Sequence, residues 1–90
     1  MVQILDDMEE LYDVIYGYRS DIASLNRSKI EKRSQAWSDA SNIKLAKEKE
    51  DFVRSEVADI QEQIDFAEAE IEKAYGKLKV AELRLEYSNE

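Results

Sequence analysis

Apolar side chains recur at alternating steps of four and three residues along the first part of the chain. Steps of this length bring side chains onto one side of a helix, so the spacing predicts a helix over about residues 2–25. Gly17 lies within this segment, but the apolar pattern continues on both sides of it and predicts no break. The residues of this apolar face are Ile4, Met8, Leu11, Ile15, Tyr18, Ile22 and Leu25.

A longer heptad pattern occupies the second half of the chain. From Ile43 to Leu85, twelve of thirteen positions at alternating steps of three and four are apolar, and Glu50 is the exception. One row of these positions is bulky, whereas the other is mostly alanine and lets a partner helix approach closely. Because neither proline nor glycine occurs between residues 18 and 75, the pattern predicts one helix over about residues 29–87.

The segment between the two patterns predicts a short turn. Asn26 can end the first helix, and Ser28 with Glu31 forms a capping-box pattern that begins the next one. A turn at about residues 26–28 is too short for anything but two neighbouring antiparallel helices. The alternative is a break in the long helix at residues 38–42, where the heptad register slips by one residue.

The predicted fold is a single all-α domain over residues 1–90. It is an antiparallel helical hairpin of one short and one long helix, a coiled coil that assembles into a dimeric helical bundle. At the rise of an α-helix, the short helix is about 36 Å long and the long helix about 90 Å. Ile30 and Trp37 share a face of the long helix, and we expect them to join the packing against the short one.

Self-association is predicted because the short helix covers less than half of the long one. Each bulky apolar side chain removed from water contributes roughly 1.5–3 kcal/mol, so an uncovered row favours assembly. A second apolar set lies at one heptad position: Leu45, Phe52, Phe66, Val80 and Tyr87. The two sets together favour an antiparallel dimer of hairpins or a larger homo-oligomer. The predicted self-association seam is Val57, Ile60, Ile64, Ala67, Ile71, Ala74, Leu78, Ala81 and Leu85.

The composition argues against an enzyme. The chain has no cysteine, histidine or proline and two isolated glycines, so it lacks thiolate and imidazole chemistry and a glycine-rich phosphate loop. We therefore expect no catalytic residue, no metal site and no cofactor. The N-terminal residues do not resemble a signal peptide, and no run of about 18 apolar residues occurs. The sequence predicts a cytoplasmic protein that does not enter a membrane.

Charge is distributed unevenly along the chain. The net charge is −8, and the basic residues Arg27, Lys29, Lys32 and Arg33 cluster at the predicted turn, close to Trp37. Basic side chains beside an aromatic ring can bind a nucleic-acid backbone and stack on a base. The cluster therefore offers an alternative function in single-stranded nucleic-acid binding, although the net negative charge opposes it.

Tyrosines surround Gly17 in the first helix. Tyr12 and Tyr16 lie one turn apart beside the apolar face and, with Leu5, can form a small exposed patch. Aromatic patches are favoured anchors in protein interfaces. A second hairpin can cover the same patch in a dimer, so both interpretations stay open.

Helix-compatible spacing of Ala, Trp and Tyr marks two stretches, residues 35–40 and 81–87. In this spacing, about half of the chain is similar to small helical accessory proteins common in phage genomes. Some of those proteins are recombination mediators that oligomerise and assist single-strand-binding machinery. The resemblance implies a viral accessory or regulatory protein in the host cytoplasm, and it carries over no functional residue.

The sequence thus predicts a non-enzymatic, self-associating coiled-coil interaction protein that presents a helical surface to a protein partner. A nucleic-acid accessory protein that uses the basic cluster is the alternative.

Overall fold

The computed structural model describes residues 2–88 and consists of two long helices. Helix α1 spans Val2–Asp39 and helix α2 spans Ala46–Ser88. The contacts between them run in opposite order along the chain, since Arg19 meets Tyr75 and Lys29 meets Gln61. The two helices are therefore antiparallel, and the predicted all-α helical hairpin is confirmed. The molecule measures 69 × 19 × 12 Å.

Helix α1 continues through the segment that was predicted to turn. Asn26 and Ser28 lie in the middle of α1 with exposed side chains, so they neither end a helix nor begin one. Polar residues of this kind are tolerated in a helix when their side chains remain in water. The prediction of a turn at residues 26–28 is wrong, as is that of one short and one long helix, because the helices have 38 and 43 residues.

The chain reverses at residues 40–45, and this reversal overlaps the break at residues 38–42 that the sequence offered as the alternative. A single 3₁₀ turn covers Ala40–Asn42, and the backbone N–H of Ile43 donates a hydrogen bond to the carbonyl oxygen of Ala40 at 2.9 Å. Ala40 is fully buried, so its small side chain lets the two helix ends come together. The prediction of one continuous helix over 29–87 is therefore wrong.

The apolar core forms a narrow strip between the helices. Its centre consists of Ile15 from α1 with Ala74 and Leu78 from α2. Buried alanines continue the strip towards the turn, with Ala36 on α1 and Ala67 on α2. Small side chains at such positions allow two helix backbones to approach closely. Half-buried side chains border the centre: Met8, Leu11 and Ile71.

Helix α1 covers the row on α2 that was predicted to require a second chain. Because α1 extends to Asp39, it runs alongside α2 over most of their lengths. The uncovered seam from which self-association was predicted does not exist in this hairpin, and that argument is wrong. Six residues of the row are buried and three are half-buried: Val57, Ile64, Ala67, Ala74, Leu78 and Ala81, then Ile60, Ile71 and Leu85.

Two residues predicted to pack inside the hairpin lie outside it. Ile30 is 68% exposed and Trp37 is 41% exposed. Beyond Leu25 the more buried positions of α1 are those of Lys29 and Ala36, one residue before each of them. This placement puts the side chains of Ile30 and Trp37 beside the contact between the helices and not within it. The other predicted packing residues lie on the face that meets α2, with Ile15 buried and six half-buried: Ile4, Met8, Leu11, Tyr18, Ile22 and Leu25.

Candidate interaction surface

The hairpin is one layer of two helices, so it has two broad sides, each with a groove where the helices meet. We name one side the phenylalanine face, after Phe66, and the other the tyrosine face, after Tyr12, Tyr16 and Tyr75. Residues seven apart lie on the same side of a heptad-repeat helix. This relation assigns each groove to one of the two faces.

The middle of the phenylalanine face is built around an aromatic pair. The rings of Tyr18 and Phe66 meet edge to face, with their centroids 6.4 Å apart. Leu25 and Ala67 continue the apolar floor of the groove beside them. Phe66 nevertheless remains 61% exposed, so the pair leaves an aromatic surface in solvent. The polar rim of this groove consists of Asp21, Ser24, Asp59, Glu62 and Gln63.

A second groove lies on the same face towards the open end of the hairpin. Val14 and Val80 line it and are both exposed, and they follow the heptad spacing of Asp21 and Phe66. Its rim differs in charge between the helices. The α1 edge is acidic and the α2 edge is basic: Asp7 and Glu10 against Lys77 and Arg84.

The tyrosine face carries a different set of side chains. The guanidinium of Arg19 lies 5.8 Å from the centre of the Tyr75 ring and donates a hydrogen bond to its hydroxyl oxygen. Towards the N-terminus, a shallow groove on α1 brings together the patch that the sequence singled out. Leu5, Tyr12 and Tyr16 all line this groove and are exposed in the single hairpin.

The basic residues near position 30 do not lie at a tip. They lie in the second half of α1, before the reversal at residues 40–45, because the predicted turn is absent. Lys29 is half-buried and donates a hydrogen bond to the side-chain oxygen of Gln61. Arg27 and Lys32 are exposed, and the groove beside Trp37 contains neither of them. The predicted basic tip is therefore wrong as a structural unit.

Part of this cluster lines a groove on the tyrosine face near the turn. Lys29, Arg33 and Trp37 of α1 face Glu50 and Arg54 of α2 across it. Three cations and an exposed indole ring are thus close together, with one carboxylate among them. This arrangement can bind an anionic group or an aromatic ring.

Two further features bear on chemistry. Among residues 2–88, acidic side chains do not gather in a group of three or more that could hold a metal ion. In the same range, neither helix combines the length and the apolar character needed to cross a membrane.

Comparison with known proteins adds no relative. The chain matches no protein-family description, no curated protein and no solved structure.

Several residues of these faces were not among the sites predicted from the sequence. Val14, Arg19 and Tyr75 fall outside the apolar steps of three and four, and periodicity alone gave them no role. Phe66 and Val80 were recognised as a second apolar set without a place in the fold. The available signal was the heptad position, which groups residues by side but does not say which sides the partner helix leaves open.

Proposed function

We propose that this protein is a non-enzymatic interaction protein, a helical hairpin that self-associates and presents its remaining surface to a protein partner. The observation that carries the proposal is the phenylalanine face, where Val14, Phe66 and Val80 are exposed beside two grooves. Exposed apolar clusters with a polar rim are typical of protein interfaces. The reason for assembly is thus an outer face rather than an uncovered inner seam.

The small core supports the same proposal. A two-helix hairpin buries one strip of each helix, and the largest side chain below 2% exposure in the described part of the chain is Ile15. A single core of this size is marginal unless something supplements it. The sequence has no cysteine or histidine, so oligomerisation is the supplement open to it. Some of the phage accessory proteins that the sequence resembles oligomerise, which agrees with this.

Solution mass tests the proposal. Light scattering across a hundredfold dilution is expected to give a multiple of the 10.5 kDa chain mass at the higher concentrations. Circular dichroism of the same samples should show a helical spectrum. The thermal midpoint should rise with protein concentration, since association stabilises the folded chain by mass action. A folded hairpin with the mass of a single chain at every concentration would contradict self-association.

A second candidate function is single-stranded nucleic-acid binding, and one observation favours it. The groove near the turn sets Arg33 and Arg54 beside the exposed ring of Trp37. Cations that follow a phosphate backbone and an aromatic ring that stacks on a base are the usual elements of such a site. The net charge of −8 weakens it, so this candidate ranks second.

Fluorescence of the single tryptophan tests the second candidate. Addition of an oligothymidylate at low salt should quench Trp37, with an affinity that falls steeply as salt rises. Arg33→Ala and Arg54→Ala should weaken binding, whereas Arg27→Ala is the matched control because Arg27 lies outside the groove. If the emission is unchanged at low salt, the nucleic-acid function is excluded.

A further inference from the structure

One heptad position, which runs along α2 and includes Leu45 just before its first residue, has a pattern of apolar and charged residues that is symmetric about its middle member. From the turn to the open end it holds Leu, Phe, Asp, Phe, Lys, Val and Tyr, seven residues apart. Phe66 is the middle member, with apolar residues in the two outer places on each side and opposite charges between. We name this row the α2 stripe: Leu45, Phe52, Asp59, Phe66, Lys73, Val80 and Tyr87.

The α2 stripe lies on the outside of the hairpin. Phe66, Val80 and the two end residues are all exposed, and Phe52 is half-buried. Phe66 and Asp59 belong to one groove of the phenylalanine face, and Val80 belongs to the other. At 1.5 Å per residue the stripe is about 63 Å long, which is nearly the whole length of the molecule.

The charges of the stripe select an orientation. Asp59 precedes Phe66 by seven residues and Lys73 follows it by seven. If two copies meet in parallel, each of these residues opposes its own kind. If they meet antiparallel about Phe66, Asp59 of each copy opposes Lys73 of the other. Opposite charges across an interface fix register and orientation, and like charges exclude the alternative.

Neither charge is committed to a strong contact within the hairpin. The ammonium of Lys73 lies 3.8 Å from Glu70, one turn before it, in a loose pair on the helix surface. Exposed pairs of this kind contribute little. Asp59 has no hydrogen bond or ion pair within the described residues, so both side chains can face a second chain.

We propose that two copies of this chain pack α2 against α2 in an antiparallel, two-fold symmetric interface centred on Phe66. Phe66 then meets Phe66 of the second copy, Phe52 meets Val80, and Leu45 meets Tyr87. The proposal rests on the proposed self-association and gives it an interface and an orientation. The result is a four-helix bundle in which the phenylalanine faces are buried.

A second copy fits this surface better than an unrelated partner. An isologous interface uses the same patch on both subunits, so its residues must be complementary to themselves under a two-fold rotation. The α2 stripe meets that requirement in both apolar and charged places. A strip about 63 Å long and about 10 Å wide gives about 1,200 Å² over both chains, the lower end of the range for stable interfaces.

The flanking positions add no net attraction between the two copies in the antiparallel arrangement. Beside the stripe, Glu56 faces Lys77 of the second copy in the antiparallel arrangement, which is favourable. Lys49 faces Arg84, which is unfavourable. The two contacts offset each other, and the orientation depends on Asp59 and Lys73.

Charge reversal provides the first test. Asp59→Lys and Lys73→Asp each place two like-charged pairs in the symmetric interface, and each should weaken dimerisation about tenfold. The double variant Asp59→Lys, Lys73→Asp restores opposite charges and should return the dimer to within about threefold of the natural affinity. The matched controls are Glu72→Lys and Lys79→Asp, seven and fourteen residues after Asp65, whose carboxylate accepts a hydrogen bond from Gln61 away from the stripe.

Sedimentation of these variants at several concentrations measures the dimerisation affinity of each. Loss of affinity in both single variants and recovery in the double variant support the interface. If the single variants dimerise as tightly as the controls, or if the double variant is as weak as the single ones, the proposed pairing is wrong.

Disulfide trapping provides a second test, since the chain has no cysteine of its own. Phe66→Cys should link to itself across the two-fold axis under mild oxidation. A mixture of Leu45→Cys and Tyr87→Cys should link far more than either variant alone. Tyr16→Cys is the control, because Tyr16 is exposed on the tyrosine face.

The two experiments separate failure of the interface from failure of self-association. A dimer by mass in which Phe66→Cys does not link, or in which Leu45→Cys links to itself, overturns the antiparallel interface and leaves self-association standing. A chain that stays monomeric at every concentration overturns both proposals.

Discussion

At the scale of single residues, Leu78 is the bulkiest buried side chain on α2 at the centre of the core. It is 3% exposed and packs with Ile15 and Ala74 between the helices. Leu78→Ala removes buried apolar volume from a narrow core. We expect it to lower the free energy of unfolding by about 2–5 kcal/mol.

Urea unfolding at one fixed protein concentration measures this loss. Leu83→Ala is the matched control, since it is the same substitution at an exposed position of the same helix. The control should alter the free energy of unfolding by no more than about 0.5 kcal/mol. Equal effects of the two variants would show that α1 does not cover Leu78.

The glycines are a second residue-level feature, because neither has a structural need to be glycine. Both lie in helices, neither has a positive φ, and a Cβ added at either position meets no atom within 4 Å. Gly17→Ala and Gly76→Ala should therefore each raise the free energy of unfolding by about 1 kcal/mol. Urea unfolding of the single and double variants checks this, and the two gains should add.

Ala23→Gly is the reverse control, since Ala23 is an exposed mid-helix residue of α1. It should lower the free energy of unfolding by about 1 kcal/mol. A loss of stability in Gly17→Ala would indicate that another chain approaches the backbone there.

At the scale of the elements, substitutions of Ser28 test where the chain turns. In the hairpin it lies in the middle of α1 with its side chain in solvent. Ser28→Ala should therefore raise the free energy of unfolding by about 0.5 kcal/mol, because alanine has the higher helix propensity. If Ser28 capped a helix, the same change would lower it by about 1 kcal/mol. Thermal or urea unfolding gives the sign.

Ser28→Pro extends this test with a larger effect. Proline within a helix removes a hydrogen bond and clashes with the preceding turn, so we expect a loss of about 3 kcal/mol or more. Ser41→Pro is the matched control at the reversal and should cost less, since Ser41 is outside both α-helices. Tolerance of Ser28→Pro would place the turn back at residues 26–28.

The helices themselves could be predicted from the sequence because their signal is local. Ile15 and Leu78 belong to rows with steps of three and four, and such rows predict a buried side wherever the helices are paired. The slip in heptad register at residues 38–42 offered the reversal as an alternative, but local signals did not decide between it and a turn at residues 26–28. The polar signals at Asn26 and Ser28 are equally compatible with an exposed helix surface, and the reversal depends on pairing between residues distant in sequence.

The candidate surface was predictable to a smaller extent for a related reason. Tyr12 and Tyr16 stand beside the apolar row of their own helix, so their grouping follows from local spacing. Val14 and Tyr75 acquire a place only when both helices are paired and the two faces are defined. Which heptad positions stay exposed depends on the partner helix, and this information is not local.

At the scale of the whole molecule, two features combine. The chain folds into a hairpin of nearly equal helices, and in the proposed assembly two hairpins pack antiparallel along their full length. Full overlap about Phe66 leaves the length of the particle close to that of one hairpin while its mass doubles. The alternative arrangement, a short helix on a long one, requires a helix of about 88 Å over residues 29–87.

Small-angle X-ray scattering, with the mass taken from the forward intensity, tests both features in one measurement. We expect a particle of twice the 10.5 kDa chain mass whose longest dimension stays near 69 Å, with a thicker cross-section than a single hairpin. A particle longer than about 88 Å would contradict the full-length antiparallel hairpin dimer. A particle with the mass of one chain and a radius of gyration close to the 20.0 Å of the Cα atoms of a single hairpin would contradict the assembly.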